Sequence, residues 1–287
     1  MVENTDDMKL DSIFEVLKSD YSFFKKHQNN FKKLQKSINK KDPLLIIVMP
    51  LIIFVNHTLR SISILYKNNC TKDCLVLSRH FIETVINIGF ICATKEKSLK
   101  KNITYSIQRR FRDKKRELKI NSKLMSLIHG DESFLKKLGE VDIMKNALNE
   151  YTNNHGKEIN QWTKETIKEK IEVIDKKYGN YVGDILTFAF FDIYRDSSEV
   201  IHGSYYGFLV VTGLVERPHN SFKTAEELRN FLTKNETGSM KLIFVLLSMS
   251  IVALMIILNE ELNLEFDIEK CKNLLLDYAD LEMLKKQ

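Results

Sequence analysis

The chain has few of the residues that break helices, with 3 Pro and 10 Gly among 287 residues. It also lacks convincing runs of alternating polar and apolar residues, internal repeats and low-complexity linkers. What it has instead is an abundance of Leu, Ile, Lys and Glu, with 44% hydrophobic and 29% charged residues. These residues favour helix. The composition therefore predicts an all-α fold and argues against a fold built from strands.

Cysteine is scarce as well, and the four cysteines are dispersed along the chain. A chain of this length can bury a core without disulfides. Cys70 and Cys74 lie one helical turn apart, but a zinc site needs two further ligands and no second Cys/His pair has suitable spacing. We therefore expect neither a metal nor a cofactor. The first ten residues, MVENTDDMKL, have no apolar signal-peptide core, so we expect the reducing cytoplasm.

The longest uncharged run, residues 242–258, contains only Ser248 and Ser250 as polar breaks. Seventeen helical residues span about 25 Å, which is short of a hydrocarbon core of roughly 30 Å. A second run, residues 44–55, is shorter and contains Pro50. We therefore expect both runs to be buried helices and a membrane not to be a partner.

Helical periodicity and capping residues predict one helical domain over residues 1–287. Amphipathic helices are expected in residues 1–41, a bundle core in 42–118 and 180–287, and a polar helical insertion or subdomain in 119–179. Thr224 and Glu227 form a capping box that predicts a short helix to about residue 234. Gly238 and Ser239 then precede a separate long apolar helix.

Positive charge is concentrated in residues 95–119, which contain eleven Lys or Arg and three acidic residues. A helix with this surplus attracts phosphate backbones or an anionic surface, although such a run is also typical of a solvated helix face. The residues predicted to contact nucleic acid are Arg109, Arg110, Arg112, Lys114, Lys115 and Arg116.

The segment RDSSEVIH (195–202) is the strongest candidate for chemistry. Arg195 and His202 are seven positions apart in a predicted helix, so they emerge on nearly one stripe with Ser198 between them. The stripe combines an anion-binding guanidinium, a hydroxyl and a titratable imidazole. Three neighbours add rings and hydroxyls that suit a phosphate or a stacked base, namely Tyr194, Tyr205 and Tyr206.

A structural interpretation of the same segment stays open. Glu199 follows Arg195 by four residues and would form a helix salt bridge, while His202 would interact favourably with a helix C-terminus. Arg79 and Glu83 likewise lie within an apolar helix face, where unpaired polar groups are costly. They form either a simple ion pair or a network that meets the Arg195/His202 row across the core, where they would bind substrate or support the site.

Two resemblances carry functional expectations. Arg195, six intervening residues and His202 resemble the Arg-x4–6-His motif of the HEPN superfamily of all-helical nucleases and nucleotide-binding proteins. The segments SRHFIETVINIGFICA (78–93) and YRDSSEVIHGSYYG (194–207) are similar to an uncharacterised bacterial helical family, domain-of-unknown-function family 5677, over roughly residues 40–260. The residues that match this family are Arg79, Glu83, Tyr194, Arg195, Ser198 and His202.

The HEPN resemblance implies a HEPN-like helical bundle that cleaves RNA without a metal. His202 would be the general base or acid, Arg195 would stabilise charge on the phosphate, and Ser198 or Tyr194 would orient the phosphate. It also implies a homodimer with facing motifs and a role as a toxin or antiphage effector, whereas the sequence identifies no antitoxin or other protein partner. The alternative is a non-enzymatic helical module that binds protein or nucleic acid, with the Arg, Glu and His residues in a structural network.

Overall fold

The computed structural model describes residues 5–38, 42–120, 141–215, 217 and 221–284. In these ranges the chain is helical, with no strand beyond the isolated bridge between Thr152 and Glu158. The predicted all-α class is therefore confirmed. Residues 121–140, a third of the predicted polar insertion, lie outside the described residues.

Eleven α-helices follow one another in the described residues. The first six are α1 (Thr5–Ser37), α2 (Leu45–Lys67), α3 (Thr71–Thr94), α4 (Glu96–Ile120), α5 (Asp142–Glu150) and α6 (Ile167–Tyr178). They are followed by α7 (Asn180–Ala189), a π-helical turn (Phe190–Tyr194), α8 (Arg195–Ile201), α9 (Tyr205–Thr212), α10 (Ala225–Glu261) and α11 (Ile268–Leu284). The predicted N-terminal helices are a single helix, α1.

The chain divides into two compact units, a main unit of residues 1–93 and 167–287 and a small unit of residues 94–166. The small unit includes the basic helix α4, which the sequence placed in the bundle core. It excludes α6, which the sequence placed in the insertion. The reason lies in local packing, because α4 packs against α5 within the small unit.

The core of the main unit is organised around α10, which packs against α1, α7, α9 and α11. Nearly every residue from Ile243 to Leu258 is buried, so this helix is apolar on all sides. The ring of Phe244 lies 5.3 Å from that of Phe24 and 4.9 Å from that of Tyr66, which joins α10 to α1 and α2.

The predicted break at Gly238 is wrong, because α10 runs without interruption for 37 residues. Its start is as predicted: the hydroxyl of Thr224 accepts a hydrogen bond from the backbone N–H of Glu227 at 3.1 Å. A glycine inside a helix costs only about 1 kcal/mol relative to alanine. The burial of the apolar residues that follow exceeds this cost, so the helix continues.

Three helices are long and apolar enough to cross a membrane by length and composition, namely α2, α3 and α10. The uncharged run of residues 242–258 is part of α10, and this helix extends beyond the run at both ends. The share of the most apolar 18-residue window that is buried in the protein is 72% for α10, 61% for α3 and 39% for α2. The expectation that no membrane is a partner stays a prediction.

Candidate functional site

The site residues lie where two short helices meet at a corner. The π-helical turn separates α7 from α8 and ends immediately before Arg195. His202 caps α8, and Gly203 takes a left-handed φ of 62° that only glycine adopts easily. Ser204 then begins α9, since its hydroxyl accepts a hydrogen bond from the N–H of Gly207 at 2.9 Å. The corner holds the His202 backbone between two capped helix ends.

An open groove of about 370 Å³ brings α3 together with the end of α8. Its polar lining consists of Arg79, His80 and Glu83 from α3 and His202 from the corner, and its apolar lining of Val76, Leu77 and Ile201. The imidazole of His202 is exposed to solvent in this groove. The groove therefore brings His202 together with Arg79 and Glu83, which the sequence placed near it in only one of two interpretations.

Arg79 contacts Tyr194 rather than Glu83. Its guanidinium stacks 4.4 Å from the centre of the Tyr194 ring and donates a 3.3 Å hydrogen bond to the tyrosine hydroxyl. Glu83, which the sequence paired with Arg79, forms no ion pair with any described residue. The simple Arg79–Glu83 ion pair is therefore not formed, and the contact observed runs from α3 to Tyr194 in the π-helical turn.

Arg195 and His202 point to the same outward side of the helix. The buried Ser197 marks the side of the helix that faces the core. At 100° per residue, Arg195 lies about 160° and His202 about 140° around the helix axis from Ser197. Both side chains are exposed, and neither forms a hydrogen bond or ion pair with a described residue. The predicted bridge from Arg195 to Glu199 is not formed, because Glu199 accepts a 3.0 Å hydrogen bond from the Ser204 hydroxyl.

The guanidinium of Arg195 lies outside the groove. It extends towards the ring of Phe191, whose centre is 5.9 Å away, in the direction opposite to His202. The α-carbons of Arg195 and His202 are about 10 Å apart along a helix with a rise of 1.5 Å per residue. A single chain thus presents the two side chains on the same face of the helix but not at the same point.

The remaining sequence candidates surround this corner. Ser198 is half-buried, and its side chain forms no hydrogen bond within the described part of the chain. Tyr205 and Tyr206 are exposed by 77% and 53%, and the ring of Tyr205 stacks on that of Phe208 with centroids 6.5 Å apart. Burial and the nearby Asp192 raise the pKa of Asp196, while Arg195 opposes that shift.

Most of the cations on the basic helix α4 that were predicted to contact nucleic acid have partners inside the small unit. Glu158 pairs with both Arg109 and Arg116, and Arg112 donates to the Leu148 carbonyl at 3.0 Å. Lys114 is buried and pairs with Glu117 at 2.9 Å. These four cations therefore stabilise the small unit.

Two of the six predicted contacts, Arg110 and Lys115, keep an accessible charge. Both are exposed and form no hydrogen bond or ion pair with a described residue. Of the six predicted contacts, these two remain available to a phosphate backbone.

Within the described ranges, no group of three His, Cys, Asp or Glu side chains has the arrangement of a metal site. All four cysteines are free, and Cys74, Cys92 and Cys271 are buried. Burial raises the pKa of the Cys74 thiol to about 12, so the thiol stays protonated at neutral pH.

The model of a family of unknown function, DUF5677, matches residues 45–217, a stretch that includes both walls of the groove. The chain belongs to this family. The resemblance to this family, expected over roughly residues 40–260, is thereby confirmed for residues 45–217. Comparison with curated proteins gave no match, and comparison with solved structures gave none either.

Sequence reasoning overlooked His80. The residue follows Arg79 directly, but a single exposed histidine beside an apolar helix face carries no pattern of its own. What distinguishes it is the groove, which depends on the packing of α3 against a helix that begins more than a hundred residues later in the chain.

Proposed function

We propose that this DUF5677 protein is a metal-independent, HEPN-like endoribonuclease in which His202 and Arg195 are the catalytic pair. The observation that carries the proposal is the state of His202, which is exposed in an open groove without a protein partner among the described residues. A polar side chain buried for a structural role is normally hydrogen-bonded. His27 of the same chain is such a case, with 0% exposure and ring contacts to two carbonyls.

In the proposed reaction, His202 exchanges a proton with the ribose 2′-hydroxyl or with the leaving oxygen, and a guanidinium stabilises the charge that develops on the phosphate. The 2′-oxygen attacks the phosphorus, the bond to the 5′-oxygen breaks, and the product carries a 2′,3′-cyclic phosphate. The exposed rings of Tyr205 and Tyr206 suit stacking with bases of a single strand.

The active form proposed is a homodimer. In one protomer Arg195 extends away from His202, so Arg195 of a second copy is better placed to reach the phosphate at which His202 transfers a proton. Exposed apolar side chains next to His202 support such a contact, notably Ile201, Tyr205 and Phe208.

Cleavage of a fluorogenic RNA in the presence of EDTA tests the proposal, with wild type compared with His202→Gln. We expect the variant to lose at least about a hundredfold in rate, which is the usual contribution of acid–base catalysis. His57→Gln is the matched control, because His57 is exposed on α2 and does not line the groove. Equal rates for wild type and His202→Gln would refute a catalytic role and favour a non-enzymatic binding module.

Mixing two inactive variants tests the composite site. If each site takes Arg195 from one copy and His202 from the other, heterodimers of Arg195→Ala and His202→Gln contain one intact site. Half of the dimers in a random equimolar mixture are heterodimers, so about a quarter of wild-type activity returns. A mixture as inactive as its components would refute the composite site.

The biological role proposed is that of a cytoplasmic toxin or antiphage effector that degrades RNA. Growth arrest with loss of intact RNA after induced expression in a bacterial host, by wild type but not by His202→Gln, is the expected result. Equal growth of the two cultures would contradict this role.

A further inference from the structure

Cleavage of RNA by attack of the 2′-hydroxyl transfers two protons at two different atoms. One group removes the proton of the attacking hydroxyl, and another protonates the 5′-oxygen as it leaves. His202 performs only one of these transfers. The proposed function therefore requires a second acid–base group within reach of the same phosphate.

The groove contains a second imidazole, that of His80. His80 is exposed on α3 and lines the same open groove as His202. Its ring packs edge-on against Phe54 of α2, with centroids 4.7 Å apart and planes at 89°. Phe54 thus contacts the ring, and neither ring nitrogen of His80 forms a hydrogen bond with a described residue.

The other charged groups of the groove are placed to serve the same reaction. Arg79 keeps most of its N–H donors free, because its contacts are the ring and the hydroxyl of Tyr194. Glu83 lies one turn beyond His80 and has no partner among the described residues. The titratable and charged side chains that line the groove are therefore two histidines, one arginine and one carboxylate, and the ring of His80 also contacts the uncharged Phe54 of α2.

We propose that His80 is the second acid–base catalyst of the cleavage, and that Arg79 is the guanidinium that contacts the reacting phosphate within the same protomer. One neutral imidazole of the pair accepts the 2′-hydroxyl proton as the 2′-oxygen bonds to phosphorus. The other imidazole, in its protonated form, donates a proton to the 5′-oxygen as the P–O bond breaks. Both histidines return to their starting states through solvent, so protons and charges balance.

This inference rests on the proposed function, and a modified substrate separates the two. In an RNA whose scissile 5′-oxygen is replaced by sulfur, the leaving thiolate needs no protonation. A variant that lacks the general acid therefore regains activity on this substrate, whereas a variant that lacks the general base does not. We expect His80→Gln and His202→Gln each to lose at least about a hundredfold on the oxygen substrate, and the sulfur substrate to rescue one of them.

The controls are His57→Gln and the melting temperature of each variant, which a groove-lining histidine on the surface is not expected to change. If His202→Gln is inactive but His80→Gln cleaves within about threefold of wild type, His80 is not a catalyst and the proposed function stands. If the sulfur substrate rescues neither variant, the two histidines do not form an acid–base pair. If His202→Gln is as active as wild type, the proposed function itself fails.

Discussion

Replacing Gly207 with alanine tests the corner that holds His202. Gly207 lies on α9 against the backbone of α8, where an added Cβ would approach the carbonyl carbon and oxygen of Glu199 to 2.5 Å and the nitrogen of Val200 to 2.8 Å. These are backbone atoms, so no side-chain rotation relieves the contact. The two helices must move apart for the alanine to fit.

The size of the effect follows from two contributions. Overpacking costs typically 1–3 kcal/mol, and a backbone obstacle lies at the upper end of that range. Movement of α9 also weakens the 2.9 Å cap from the Gly207 N–H to the Ser204 hydroxyl, which contributes about 1 kcal/mol. Together they give a loss of about 4 kcal/mol, which in a unit of this size lowers the melting temperature by roughly 8–16 °C.

Thermal melting followed by circular dichroism measures the effect, with Gly238→Ala as the matched control. Gly238 lies inside α10, and no atom lies within 4 Å of the point that an added methyl group would occupy. The same substitution there improves helix propensity by about 1 kcal/mol and should raise the melting temperature by a few degrees. If Gly207→Ala melts at or above wild type while Gly238→Ala is stabilised, the close approach of α9 to α8 is wrong.

Three further predictions concern single contacts. Thr224→Ala removes the side-chain cap of α10 and should destabilise the protein by about 1 kcal/mol in urea unfolding, whereas no change would mean that the cap is not formed. Iodoacetamide at pH 8 should label the half-exposed Cys70 and leave Cys74 unlabelled in the native protein, because burial raises the pKa of Cys74 to about 12. Equal labelling of the two cysteines in mass spectrometry would contradict the burial of Cys74. Tyr194→Phe keeps the ring under Arg79 and should melt within a few degrees of wild type, while Tyr194→Leu loses ring and hydroxyl and should be the less stable; the reverse order would exclude the stacking contact.

Local sequence signals predicted most helices because caps and periodicity act over a few residues. Thr224 caps α10 as its spacing with Glu227 indicates, and the N–H of Lys270 is capped by the Asp267 carboxylate at 3.1 Å before α11. The break expected at Gly238 did not occur, since propensity is weak compared with the burial of a long apolar segment.

These local signals could not predict which residues far apart in the sequence contact each other. Arg109 pairs with Glu158, which lies 49 residues later, and Arg79 contacts Tyr194, which lies 115 residues later. Nothing in the composition of α4 distinguishes a cation that meets a buried carboxylate from one that faces solvent. The sequence therefore located the charged helix, but it did not show that four of the six cations predicted to contact nucleic acid have partners within the small unit.

The π-helical turn explains how Arg195 and His202 come to face outward. The buried residues Ala189, Ile193 and Ser197 follow one another at intervals of four, and each such interval overshoots a full α-helical turn by about 40°. Two successive intervals would rotate the buried stripe away from the bundle in a regular α-helix. The wider turn at Phe190–Tyr194 absorbs this rotation, so Ser197 stays inside and the opposite side of α8 stays in solvent. The exposure of the proposed catalytic pair is thus a consequence of the spacing of apolar residues before it, and the same spacing brings Tyr194 against Arg79.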